Sequence, residues 1–246
     1  MIVLFTDFGN RDPYIGQVKN VLVQLAPSVP VIDLFNNAPM FDPRASAYLL
    51  AAYVNEFPAD SVFLAVVDPG VGASSRRAIV LRIDARWYVG PDNGLFNRVA
   101  LQAADPRFIE CWQIDWRPDR LSNTFHGRDL FAPIAARIAL GEHTPGTPLD
   151  SESVIDPTWP NDHKAIIYID HYGNAISGIA ASQVTPNTQL TINNHHIAYA
   201  RTYSEVAVGA GFWYENANGL VEIACNQASA RDRFDLKVGS VIKATK

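Results

Sequence analysis

Cysteine is scarce: the 246 residues hold two, Cys111 and Cys225, far apart and outside any Cys-x-x-Cys spacing. Neither a disulfide framework nor a zinc site is expected. A basic surplus is also lacking, since 20 Lys+Arg face 25 Asp+Glu for a net charge of −5. That leaves no cationic reserve for a phosphate backbone and counts against a nucleic-acid partner. No stretch is long and apolar enough to span a membrane, and the start, MIVLFTDFG, has neither a basic leader nor a long apolar core. There is no internal repeat and no low-complexity tract. A soluble, cytoplasmic protein is the expectation. With 48% hydrophobic and 18% charged residues, the chain can bury a large core as one large domain or two unequal ones.

The chain is organised around SVFLAVVDPGVGASSRRAIV, residues 61–80. Val62 to Val67 is apolar without alternation, as in a strand buried on both faces of a parallel sheet. It ends on Asp68, and Pro69-Gly70 breaks it. Gly72 and the pair Arg76-Arg77 follow, before a second apolar run opens at Ala78. Open α/β sheets bind ligands beyond the carboxyl ends of their strands, which is where Asp68 falls. Asp-Pro-Gly is equally well explained as a turn, so both readings stand on these residues alone.

Met1 to Phe5 predicts another buried strand, stopping at Thr6-Asp7-Phe8-Gly9. Tyr14 to Leu25 predicts a helix with Ile15, Val18, Val21, Leu22 and Leu25 on one face and Pro13 in its first turn. Asp12 is either that helix's N-cap or a ligand contact; Asp7 has no routine structural task. Further strands are expected at Val29 to Leu34, Ala78 to Ile83, Trp87 to Val89 and Phe108 to Ile114, with a helix from Pro43 to about Phe57 capped by Asp42. Asp92-Asn93-Gly94 is a tight turn first, with Asn93 a candidate to face the pocket. In Thr124-Phe125-His126-Gly127-Arg128-Asp129, a lone histidine is more often structural than catalytic. Gly127 would admit close backbone approach to a ligand, and free N–H groups would open the helix from about Leu130 to Leu140. Arg128 and Asp129 could simply pair.

Gly141 to Asp162, rich in Gly and Pro (Pro145, Pro148, Pro157, Pro160), carries little periodicity and is the expected linker. The division is residues 1–145 as an α/β domain with a buried, mainly parallel sheet, 146–162 as linker, and 163–246 as a small all-β domain, sandwich or barrel. Short strands are expected there at Ala165 to Asp170, Gln189 to Asn193, His196 to Ala200, Gly219 to Ala224 and Ser240 to Ala244. A metal at His195-His196 is not favoured, because no carboxylate partners are evident.

TDFGNRDPYIGQVK, FPADSVFLAVVDPGVG with its arginines, VGPDNGLF, TFHGRDLFAP and IDHYGNAIS occur in that order. Together they resemble the S-adenosylmethionine (SAM) hydrolases, the SAM hydroxide adenosyltransferases related to fluorinases and chlorinases. The resemblance spans nearly the whole chain. It implies an N-terminal α/β domain, a C-terminal β-barrel and a homotrimer holding SAM between one subunit's first domain and its neighbour's second. It places Asp68, Arg76 and His126 around an attacking water, with Arg76 preferred over Arg77. Asp7 and Asp12 match carboxylates that hold ribose hydroxyls. Asp170, Tyr172 and Asn174 match contacts to the methionine end and the adenine, and Tyr203 an aromatic packed on the base. Asn216-Ala217-Asn218-Gly219 stands where the halogenases carry Asn-Ser-Arg-Gly, leaving Asn218 as the contact there, and Cys225 replaces an arginine near the adenine. No cofactor and no metal are implied, SAM being the substrate. The rival readings are a halogenase of the same fold, a metal-assisted nucleoside hydrolase, and a non-catalytic SAM or adenosine binder.

Overall fold

The computed structural model describes residues 1–142 and 146–245. The chain divides into two compact units, Met1–Thr158 and Trp159–Lys246.

In the first unit the elements run β1 (Ile2–Thr6), α1 (Tyr14–Leu25), β2 (Val31–Phe35), α2 (Pro43–Tyr53), β3 (Val62–Val66), β4 (Ala78–Ile83), β5 (Arg86–Pro91), α3 (Asn97–Leu101), β6 (Glu110–Ile114), α4 (Ala132–Ala139) and β7 (Gly146–Leu149). They form one sheet of order β2-β1-β3-β5-β4-β6-β7. β1 pairs in parallel with β2 and β3, and β3 with β5. The pairings on the far side, β5 with β4, β4 with β6 and β6 with β7, are antiparallel. β1, β2, β3, β5 and β6 therefore run one way and β4 and β7 the other. The sheet is mixed, with mainly parallel strands.

β1 and β3 are buried along their whole length, which is why they lack alternation: both faces are covered. Alternate residues still serve different faces. Ile2, Leu4, Val62 and Leu64 pack with Val18 and Leu22 of α1 and Ile134 and Ala135 of α4. Phe5 meets Phe35, which meets Tyr53, and Phe63 stacks on Tyr88. Asp42 caps α2 as expected, accepting from the Ala45 amide at 2.9 Å. Asp12 does not cap α1: the N-cap position is Pro13, with no side-chain cap bond.

The stretch expected to be a linker is partly built into the first unit. Gly146–Leu149 forms the edge strand β7 on β6. Beyond it, the Asp156 amide donates to Asn97 Oδ1 at 2.7 Å, and Arg77 Nη2 donates to the Ser153 carbonyl at 2.6 Å. Main-chain pairing at an edge demands no hydrophobic period, so the composition concealed it. Pro145, part of that reading, lies outside the described residues.

The second unit holds β8 (His163–Ile169), β9 (Ala175–Ala180), β10 (Gln189–Ile192), β11 (His195–Ile197), β12 (Gly211–Glu215), β13 (Leu220–Cys225), the short helix α5 (Ala230–Phe234) and β14 (Lys243–Thr245). Two antiparallel sheets result, β12-β13-β9-β8 and β11-β10-β14. Isolated bridges join Ala165 to Val241 and Tyr199 to Trp213. Their shared interior includes Ile166, Leu190, Ile192, Trp213, Ile223 and Phe234.

Candidate active site

Three parallel strands of the first unit, β1, β3 and β5, end side by side, and each delivers a polar residue past its carboxyl end: Asp7, Asp68 and Asn93. Adjacent carboxyl ends form the crevice where open α/β sheets hold ligands.

Asp68 is the centre of this edge, with a side chain only 3% exposed. Its Oδ1 accepts from the Gly70 amide at 3.0 Å and from Asn93 Nδ2 at 3.5 Å, and lies 3.2 Å from Arg76 Nε. Among the described residues, Oδ2 takes no hydrogen bond. The Asp-Pro-Gly segment is thus a turn, as its composition allowed, and one whose Asp also receives a guanidinium. Arg76 and Arg77, adjacent at the start of β4, diverge. Arg76 lies against Asp68 and donates from Nη1 to the Asp92 carbonyl at 2.7 Å. Arg77 pairs with the Asp92 carboxylate at 2.6 Å and ties down Ser153. Gly70 and Gly72 make this arrangement possible. A Cβ on Gly70 would sit 2.7 Å from Arg76 Nη2. Gly72 has φ +84°, and a Cβ there would fall 2.4 Å from the Asn123 carbonyl. That contact seats the Asp68 loop on the loop leading to His126.

His126 is half-buried at the start of a π-helical turn, Gly127–Phe131, that runs into α4. Burial and the Arg117 charge push its pKa down, against the upward pull of the Asp68 and Asp129 carboxylates. The imidazole is therefore neutral at neutral pH. Two expectations about this turn fail. Gly127 does not make room for a ligand: a Cβ there would meet the Phe8 ring at 2.9 Å. The amides of Arg128 and Asp129 are not free, since both donate to the Phe125 carbonyl at 3.2 Å. Arg128 and Asp129 do pair, at 2.6 Å.

Asp7 Oδ2 accepts from the Phe41 amide at 3.1 Å. Burial raises its pKa, with the Asp68 charge adding a smaller push in the same direction. Phe41 adopts φ +59°, a left-handed conformation uncommon for a bulky residue, and its ring is exposed. Nothing in the sequence pattern marked it. Asp12 is exposed, its Oδ2 3.7 Å from a Cβ built on Gly9.

The second unit carries its own cleft of about 520 Å³, lined by Tyr172, Asn174, Tyr203, Cys225, Gln227, Ala228 and Ser229. Asp170 does not line it. It stands behind, accepting from the Asn174 amide at 2.8 Å and from Asn174 Nδ2 at 3.0 Å. Asn218 does not line it either; its backbone N–H donates to Asn216 Oδ1 in the β12–β13 turn. Tyr172 is 76% exposed. Sequence reasoning missed Gln227 to Ser229 and the buried Glu222. Its one available signal was a charge interrupting the apolar run of β13. Among the described residues, no group of three or more His, Cys, Asp or Glu gathers where a metal could be held, and no helix is long and apolar enough to cross a membrane.

Comparison with known proteins places both units. The SAM hydroxide adenosyltransferase N-terminal domain matches residues 2–147 and the corresponding C-terminal domain residues 164–243. A curated (R)-S-adenosyl-L-methionine hydrolase of Thermus thermophilus is 35% identical over 257 aligned positions, covering 98% of both chains. A fluorinase of Nocardia brasiliensis is 23% identical over 97% of this chain and 94% of its own. An uncharacterized conserved protein of Thermotoga maritima, solved by crystallography, superposes with a TM-score of 0.87 at 29% identity, covering all of both chains. Matched by both family domains in order, and by a hydrolase along nearly its whole length, the chain belongs to the SAM hydroxide adenosyltransferase family.

Proposed function

We propose that this chain hydrolyses SAM to adenosine and L-methionine by attack of a water on the ribose C5′. The observation that carries the reading is the Asp68–Arg76 pair. Arg76 Nε is buried and lacks an aligned hydrogen-bond partner although a carboxylate oxygen lies 3.2 Å away. A buried N–H in that condition is costly, so the pair is held off ion-pair geometry, and Asp68 Oδ2, free of hydrogen bonds among the described residues, is left to hold a water together with Arg76 and His126.

The chemistry suits such a site. The leaving group is a neutral thioether expelled from a sulfonium, so no general acid is needed. The nucleophile is the difficulty, because water must lose a proton as it attacks in line with the C–S bond. A carboxylate is a far weaker base than the hydroxide that water becomes on losing its proton. Positioning and desolvation therefore outweigh basicity. In this reading Asp68 fixes the water and accepts its proton, Arg76 stabilises the developing hydroxide, and neutral His126 orients it or relays the proton. Asp7, with Asp12 as its companion, accepts from the ribose hydroxyls at about 1.5–3 kcal/mol per charged hydrogen bond. The second unit's cleft takes the base and the methionine end through Tyr172, Asn174 and Tyr203, with Asp170 and Asn218 in supporting roles. We read that unit as a barrel, supported by the bridges at both seams between its sheets, and the assembly as a homotrimer with inter-subunit active sites. No cofactor is invoked; SAM is the substrate.

The deciding experiment incubates the purified protein with SAM, with and without EDTA and chloride, and follows the products by chromatography. Equal adenosine and methionine, undiminished by EDTA and lost in Asp68→Ala, is the expected result. A 5′-chloro-5′-deoxyadenosine product would replace this reading with a halogenase, which the Asp68 carboxylate disfavours by repelling a halide. SAM bound but left intact would make the protein a binder.

A further inference from the structure

Glu222, on β13, is 5% exposed, and its hydrogen-bond partners are Tyr214 and Asn216, neither of them a cation. A carboxylate buried without a counter-charge costs more than an apolar residue of its size would, and burial raises its pKa. Its partners show what it does. Tyr214 donates its hydroxyl proton to Glu222 Oε1 at 2.6 Å. A hydroxyl has one proton to give, so in the 3.3 Å contact between Tyr214 and Tyr203 the donor is Tyr203. Tyr203 is thereby left with an accepting oxygen, and Tyr203 and Asn174 both line the cleft. The Asn174 amide donates from Nδ2 to Asp170 Oδ2. Its Oδ1 is left as an acceptor on the cleft wall.

We infer that Glu222 is a positioning residue. Through Tyr214 it turns Tyr203 acceptor-side toward the cleft, alongside the Asn174 Oδ1 that Asp170 orients, so that the cleft selects a purine carrying an amino group at the 6-position over one carrying an oxo group. The inference rests on the reading of this cleft as the base pocket of a SAM hydrolase. An aminopurine offers N–H donors at that edge, whereas a 6-oxopurine offers an acceptor, which would face acceptors and leave buried polar atoms unpaired.

One substitution reverses the polarity with almost no change of volume. Asn216 is itself locked, because its Oδ1 accepts from the backbone N–H groups of Asn218 and Leu220, each at 3.0 Å. It can offer residue 222 only its Nδ2. In the Glu222→Gln variant the amide oxygen must therefore face Asn216, and the NH2 group faces Tyr214. Tyr214 then accepts where it formerly donated, its own proton turns toward Tyr203, and the Tyr203 proton is released toward the cleft.

The test titrates adenosine and inosine into the full chain by calorimetry and measures SAM turnover, for the wild type, Glu222→Gln and Tyr214→Phe. The wild type is expected to favour adenosine at least about tenfold. In Glu222→Gln that ratio should fall to within about threefold, with KM for SAM raised and kcat within about threefold. Should Glu222→Gln fail to fold, Tyr214→Phe, which cuts the relay at its middle, must narrow the ratio instead. An unchanged ratio in the folded variant, or a proportional loss of both nucleosides, overturns the inference. If SAM is still hydrolysed in that case, the inference alone has failed. A wild type that binds neither nucleoside and leaves SAM intact removes the hydrolase reading, and this inference with it.

Discussion

Asp68 Oδ1 and Arg76 Nε lie 3.2 Å apart, yet the Nε proton has no aligned acceptor. A purely structural ion pair would close squarely, as Arg77 does on Asp92 at 2.6 Å. The two adjacent arginines make an internal control. Arg76→Ala should lower kcat by about 10²–10³-fold, the range for one lost electrostatic stabiliser. Arg77→Ala should leave kcat within a few-fold and lower the melting temperature by a few degrees. The reverse assignment of losses would show that Arg77 carries the chemistry.

Gly70 separates the placement of Arg76 from its presence. A Cβ added there meets Arg76 Nη2, the far end of a flexible side chain, not backbone. Gly70→Ala should therefore cost activity by displacing the guanidinium while changing thermal stability little. A variant with wild-type kcat would mean that the position of Arg76 over Asp68 is unimportant to the reaction.

His126 supplies a pH test with a defined sign. Burial and Arg117 hold its pKa below the ordinary value of about 6.5, while the Asp68 charge raises it. Removing that charge must lower it further. In Asp68→Asn, NMR titration of the imidazole should show a lower midpoint than in the wild type. An equal or higher midpoint would show that the Asp68 charge does not act on the histidine.

These tests fall on residues that differed in how visible they were. Asp7 and Asp68 could be read from the sequence because each ends an apolar run with no alternation, and such runs become strands buried on both faces. The divergence of Arg76 from Arg77 could be anticipated in kind, since neighbours entering a strand face opposite ways. Which of them meets Asp68 depends on the path of the loop over Gly70 and Gly72, which no local pattern encodes. Gly127 misled because a missing Cβ looks the same whether the space is filled by a ligand or by the Phe8 ring. β7 was invisible because an edge strand is held by backbone hydrogen bonds. Phe41 escaped for a similar reason: it serves Asp7 through its amide, not its side chain.

Asp7 links binding to stability. Its pKa is raised in the folded state, chiefly by burial, so between its unfolded and folded values the folded chain holds the proton more tightly. Its contribution to stability is then present below the unfolded value of about 3.9 and is lost as pH rises through the folded value. At neutral pH the buried charge weakens the fold. Asp7→Asn keeps an oxygen to accept from the Phe41 amide and removes that charge. It should raise the melting temperature at pH 7.5, with the gain shrinking toward pH 4, and raise KM for SAM more than it lowers kcat, because a ribose contact made equally in ground and transition states is uniform binding. Thermal melts across that pH range, with steady-state kinetics on the same variant, decide it. A lower melting temperature at pH 7.5 would show that the carboxylate stabilises the fold, and a loss confined to kcat would move Asp7 from holding the sugar to the chemical step.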